Sequence, residues 1–155
     1  MLRITKLTDY GIVLLAQLAN EEQGESQNAR AMAEATSLPL PAVSKILKSL
    51  AQGGLLISQR GAKGGYALSR RPEKINVAEI IDALEGPIAL IECSAGPGHC
   101  DQETSCRVRD PWQRINQAIL ETLRHVTLRE LVSVPHSELL YAEAGGIGRD
   151  HVERN

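Results

Sequence analysis

Residues 28–70 constrain the fold of this 155-residue chain more than any other stretch. Asn28 is placed to cap a short helix running through Ala29 to about Ala35. TSLPLP follows, and its two prolines fix the backbone and remove two donors, which makes a turn. Pro41 nevertheless suits the start of the next helix, where a missing N–H goes unused. In that helix Leu40, Val43, Ile46, Leu47 and Leu50 share one face, and Ser44, Lys45, Lys48 and Ser49 fall on the other. Gly53-Gly54 stops it. LLISQR then reads as a strand, GAKGG as a tight turn and YALSR as the returning strand. A short helix, a turn, a polar-faced helix and a hairpin spell a winged helix-turn-helix.

The flanking segments are helical. Tyr10, Val13, Leu14, Ala16 and Leu18 recur at helical spacing over about 8–20, and the polar run NEEQGESQ breaks the pattern. An amphipathic helix over about 76–84 is closed by Gly86-Pro87. Asp110-Pro111 opens a longer helix, with Asp as N-cap and Pro at the first position. Trp112, Ile115, Ile119, Leu123 and Val126 form a stripe along it, wide enough to pack on the preceding core or on a second copy of itself. Thr127 and Glu130 make a capping box for a last short helix, LRELV. From Ala144 the chain has no period and is expected to be disordered. The expected class is mainly α.

Charge narrows the function. The net charge of −2 hides an asymmetry: residues 1–74 hold ten Lys or Arg against six Asp or Glu, and within 39–74 the count is seven to one. Such a stripe suits an anionic partner, and double-stranded DNA is the one a winged helix fits. With no Phe, one Trp and three Tyr, stacking on single-stranded bases is poorly supplied. No apolar run approaches the roughly 20 residues needed to span a bilayer, so no membrane partner and a cytoplasmic location are expected.

For DNA, Lys45 and Lys48 on the third helix, with Ser44 and Ser49 beside them, supply a polar, basic face for the major groove. Arg60 and Lys63 flank a turn carrying Gly61, Gly64 and Gly65, which lets backbone approach a groove. Taken alone that turn is also an ordinary hairpin, and the P-loop pattern is absent.

The chain's only cysteines, Cys93, Cys100 and Cys106, lie within fourteen residues of one Gly/Pro-containing stretch, CSAGPGHCDQETSC. An odd number of thiols with no secretion signal argues against a disulfide framework. The residues themselves leave open an iron-sulfur cluster, a zinc site completed by His99, a metal-free thiol switch and an inert trio. Zinc is disfavoured by the missing C-x₂₋₄-C spacing. A small thiol redox enzyme lacks both C-x-x-C and a βαβ pattern, and none of His99, His125, His136 and His151 sits in a nucleophile motif, so no enzyme is expected. A cofactor-free or zinc-binding winged-helix repressor is the main rival.

MLRITKLTDYGIVLLAQLA, PAVSKILKSLAQGGLL, RGAKGGYALSR and INVAEIIDALEG, followed by three cysteines and a long helix, resemble the Rrf2 family of bacterial transcription regulators over about 1–134. The likeness is greatest to the branch that regulates Suf-type iron-sulfur assembly. The resemblance implies a winged helix-turn-helix domain over 1–86, a cluster-binding cysteine loop over 87–109, a dimerisation helix with a short capping helix over 110–134, and a largely disordered tail over 135–155. It implies a bacterial, cytoplasmic homodimer reading a palindromic operator. The third helix would enter the major groove, and the basic wing the adjacent minor groove. It also implies that Cys93, Cys100 and Cys106 ligate an iron-sulfur cluster, [2Fe-2S] or [4Fe-4S], that reports redox or iron status. Where two-iron members carry a ligating His three residues after the last cysteine, this chain has Arg109, which stays cationic and cannot ligate. Other members use an Asp in the first helix of the opposite subunit; the matching motif is TKLTDYG, and its Asp9 is the expected fourth ligand. The competing role for Asp9 is a surface or helix-capping acid, and His99 is a lesser candidate ligand.

Overall fold

The computed structural model describes residues 4–21, 25–61, 64–91 and 106–133. Cys93, His99, Cys100, Lys63, His136, His151 and the tail from residue 134 lie outside them. The order is α1 (Lys6–Ala19), α2 (Ala29–Thr36), α3 (Leu40–Gln52), β1 (Leu56–Gln59), β2 (Gly65–Leu68), a 3₁₀ turn (Pro72–Lys74), α4 (Val77–Glu85), α5 (Arg109–His125) and α6 (Leu128–Ser133). This is the expected mainly helical winged fold.

Local chemistry sets the boundaries. Thr5 caps α1 by accepting from the Leu7 N–H, and Asn28 caps α2 by accepting from Ala31. Ser37 ends α2 in the left-handed conformation, at φ 56°. Asn76 and Glu79 cap α4 reciprocally, and Thr127 with Glu130 does the same for α6. The expected cap of α5 is corrected. The helix starts at Arg109 behind Val108, without a side-chain cap, and Asp110 lies in its first turn. An acid there still opposes the positive end of the helix.

One core unites most of the elements. Leu14, Leu15, Met32, Val43, Ile46, Leu47, Leu50, Leu55, Ile75, Ile80 and Leu128 are essentially sealed from solvent. Leu40, expected on the buried face of α3, is exposed, because as the helix's first residue it overhangs the core. A smaller cluster of Val77, Ala78, Ile81 and Ile88 sits beneath Leu120, Leu123 and Val126 of α5. α4 therefore has neighbours on two sides. Main-chain bonds from Val77 N to Val126 O (3.0 Å) and Leu128 N to Ile75 O (2.8 Å) tie the α5–α6 junction to the segment before α4.

The wing is an antiparallel pair in the register Leu56↔Leu68 to Gln59↔Gly65. Gln27, just before α2, extends it: Gln27 and Tyr66 exchange two main-chain bonds, of 3.0 and 2.8 Å. The hairpin is thus anchored to the helix-turn-helix. A Cβ on Gly65 would run into the Gln27 carbonyl, and one on Gly64 would lie 2.6 Å from the Gln59 carbonyl oxygen and 2.8 Å from that of Gly61. Glycine is required at both positions by the protein's own backbone.

Candidate nucleic-acid interface and cysteine site

On α3 the amphipathic division holds. Val43, Ile46, Leu47 and Leu50 are buried, while Ser44, Lys45 and Lys48 are exposed and Ser49 is half-buried. The two lysines thus stand on the outer face of a helix whose other face is locked in the core. An ammonium in that position can neutralise phosphate without first breaking an internal ion pair. Arg60 is exposed beyond β1, and Gly64 is half-buried at the start of the returning strand. Arg70, counted in the basic stripe, serves the fold instead. Its guanidinium donates to Glu79 Oε1 (2.6 Å), to the Lys74 carbonyl (2.8 Å) and to the Gly54 carbonyl (3.3 Å), bracing the hairpin against α4.

TKLTDYG divides its residues between two jobs. Thr5, Thr8 and Gly11 recur every third position and face the end of α4. Glu85, the last residue of α4, accepts from the Thr5 N–H (3.2 Å), the Thr5 hydroxyl (2.5 Å) and the Thr8 hydroxyl (2.6 Å). Those hydroxyls hold the Glu85 carboxyl below the usual glutamate range. Gly11 admits the side chain of Leu84, which any Cβ there would displace. Asp9 stands apart: it is exposed, and among the described residues its carboxylate has no hydrogen-bond or ion-pair partner. Thr5 is the cap of α1, so the helix-capping role weighed for Asp9 is already filled.

Of the cysteines, Cys106 is described: a free, half-buried thiol three residues before α5. Among the described residues no three His, Cys, Asp or Glu side chains converge on a metal position. The expected stripe on α5 is rotated by the packing. Leu120, Leu123 and Val126 face α4, whereas Trp112 and Ile115 are 40% and 46% exposed. Ahead of them on the buried seam sits Asn116, only 6% exposed. Its Oδ1 accepts from the Leu90 N–H (2.9 Å) and its Nδ2 donates to the Ile88 carbonyl (3.4 Å). Neither Asn116 nor Glu85 is marked by a local motif, because their partners lie 26 to 28 and 77 to 80 residues away.

The family model described as Rrf2, iron-dependent transcriptional regulator, matches residues 4–134. The chain belongs to the Rrf2 family. It is 31% identical over 137 residues to the HTH-type transcriptional regulator CymR of Bacillus subtilis, covering 88% of this chain and 94% of that one. The solved structure of that protein, described as a global cysteine regulator, superposes with a TM-score of 0.64 over 86% of this chain and 98% of CymR. The HTH-type regulator NsrR of Bacillus licheniformis is 29% identical over 132 residues, 84% of this chain and 92% of NsrR. The structure of T. potens IscR, 25% identical, covers 90% of this chain and 97% of IscR with a TM-score of 0.61. This Rrf2 chain is accordingly a DNA-binding transcriptional regulator and not an enzyme. No helix among the described residues is long and apolar enough to cross a membrane.

Proposed function

We propose that this regulator is a homodimer that reads a palindromic operator and senses iron or redox status through an iron-sulfur cluster, and that it controls genes for Suf-type cluster assembly. Ser44, Lys45, Lys48 and Ser49 meet the major groove, and Arg60, Lys63 and Gly64 meet the minor groove. Cys93, Cys100 and Cys106 hold the cluster, with Asp9 of the other subunit as fourth ligand. The donor chemistry fits: thiolates are the usual ligands of such clusters, and a carboxylate can complete the set. When bound, the cluster supplies a link among its ligands that is sensitive to iron and oxidant.

The observation that carries this reading is the isolation of Asp9. In a turn of α1 whose two threonines are engaged with α4, it is exposed and its side chain has no partner among the described residues. The iron-dependent description of the family points to the same cofactor class. A mate on the exposed side of α5, where Trp112 and Ile115 stand, would bring a second α1 within the assembly.

Absorbance and iron and sulfide analysis of anaerobically purified protein test the cluster. A colourless, iron-free dimer with normal operator binding would sink it. Asp9→Ala is expected to shorten the life of the cluster and alter its spectrum, and an unchanged spectrum and lifetime would remove Asp9. Lys63→Ala should weaken DNA binding across sequences and flatten the salt dependence by about one unit of slope; an unchanged slope would put the wing elsewhere.

A further inference from the structure

The outward row of α3 begins with an apolar residue. Pro41 stands three, four and seven positions before Ser44, Lys45 and Lys48, which puts it at the head of the same exposed face, and Leu40 beside it is also exposed. The first four N–H groups of a helix have no partner within it and can serve as phosphate anchors. In α3 those positions are Pro39, Leu40, Pro41 and Ala42, since Val43 makes the first helical bond, to the Pro39 carbonyl (3.0 Å). The two prolines remove two of the four donors, and no side chain caps the end. None of the side chains at 39–42 can donate or accept a hydrogen bond. The start of α3 is therefore a poor phosphate anchor, and its side chains cannot read a base by hydrogen bonding. What it offers is a rigid apolar ring on the same face as two lysines, with no rotamer freedom to lose on contact.

We propose that Pro41 is a specificity-determining residue of the DNA-binding surface: its ring packs on the 5-methyl group of a thymine in the major groove, so that the first turn of α3 selects a T·A pair by apolar contact. The inference rests on the proposed entry of α3 into the major groove, and on neither the cysteines nor Asp9. The N-terminal residues of a recognition helix are the ones that meet base edges, and among those edges the thymine methyl is the apolar group. Against another base the ring would cover a polar edge. The N4 amino group of cytosine, the N6 amino group of adenine or O6 of guanine would lose water there and gain no partner. Ser44 and Lys45, one turn further along, keep the hydrogen-bonding capacity that Pro41 lacks, so hydrogen-bond reading starts where apolar reading ends.

The test takes the full-length protein, purified without air, and the duplexes it selects from a random pool. Each thymine of a selected site is replaced in turn by uracil, which removes the methyl group and leaves the pairing intact. Wild type is expected to lose about three- to fivefold in affinity at one such thymine per half-site, the worth of one buried methyl group. Pro41→Ser should bind the thymine and uracil duplexes equally, and because the position is exposed the substitution leaves the fold in place. Lys48→Ala is the comparison. It should weaken binding to both duplexes and leave their ratio as in wild type, because it lies two turns from Pro41 and independent sites add. Wild type that is indifferent to uracil at every thymine overturns the inference without recourse to any variant. A Pro41→Ser protein that keeps the wild-type ratio overturns it too, as does a Lys48→Ala protein that loses the ratio. With Lys48→Ala weakened on both duplexes, those results leave α3 in the groove and remove only the thymine contact. Unchanged binding by both Lys45→Ala and Lys48→Ala removes α3 from the groove, and the inference with it.

Discussion

α4 meets α1 and α3 on one side and α5 on the other, and the two contacts are built differently. Toward α1 and α3, glycines let the helices close in: Gly11 makes room for Leu84, and a Cβ on Gly53 would lie 2.6 Å from that of Ala83. Behind them stand side chains with no measurable exposure, among them Leu14, Ile46 and Ile80. Toward α5 the buried cluster is small and carries an asparagine, and part of the helix's apolar surface faces water. Between these helices the apolar contact is closed, although Val13 on α1 and Leu40 on α3 stay exposed at other faces. On α5, exposed Trp112 and Ile115 lie on the same helix as the seam that meets α4 and leave apolar area that another surface could cover.

Four substitutions separate the two sides. Ile46→Ala, inside the closed side, should cost about 2–5 kcal/mol through lost burial and a residual cavity, read by urea unfolding; a loss under about 1 kcal/mol would mean that the core relaxes freely. Gly65→Ala should cost about 1–3 kcal/mol as overpacking, since the added methyl meets the Gln27 backbone. Its checks are thermal melting and loss of amide protection at Tyr66. Ile115→Glu on the open side should leave monomer stability within about 0.5 kcal/mol, as at most surface sites, while sedimentation shows loss of the proposed dimer. A dimer of unchanged affinity would place the interface elsewhere. The smallest effect is expected from Glu85→Gln. With its folded-state value lowered, Glu85 contributes stability that is present above about pH 4.5, the ordinary value, and is lost as the pH falls below it through the lowered one. The glutamine variant should therefore show a flatter fall of melting temperature in that acid range, and a parallel curve would contradict the role given to the Thr5 and Thr8 hydroxyls. Because Glu85 is largely exposed, solvent screening keeps the effect modest.

What could be read from the chain follows the range of each interaction. The α2–turn–α3–hairpin order, the Asn28 cap and the Thr127–Glu130 capping box depend on residues a few positions apart, and they stand in the structure as expected. The exposed face of α3, with Ser44, Lys45 and Lys48, was legible for the same reason: helical period alone separates it from Val43 and Ile46. The start of α5 was misplaced because Asp-Pro is a strong signal wherever it falls in a first turn, and Pro111 is tolerated there without being the first residue. Which apolar residues of α5 face α4 depends on where the helix is docked, so the seam through Leu120 could not be told from the one through Trp112 and Ile115 by periodicity. Long-range polar contacts left still less trace. Thr5, Thr8 and Gly11 hint by their spacing at a shared neighbour, but nothing near them names Glu85, and nothing near Asn116 names Ile88 and Leu90.

α6 brings Leu128, the residue after a capping threonine near the end of the described chain, back into the core with Leu14 and Ile46, where it has no exposed surface. The winged half is consequently not a module that can be cut free. A fragment ending after α4 would carry an open socket where Leu128 belongs and would lose the main-chain bonds at Ile75 and Val77. Shuffling this half onto another protein would require carrying α5 and α6 along, which makes the winged half and its closing helices a single heritable unit.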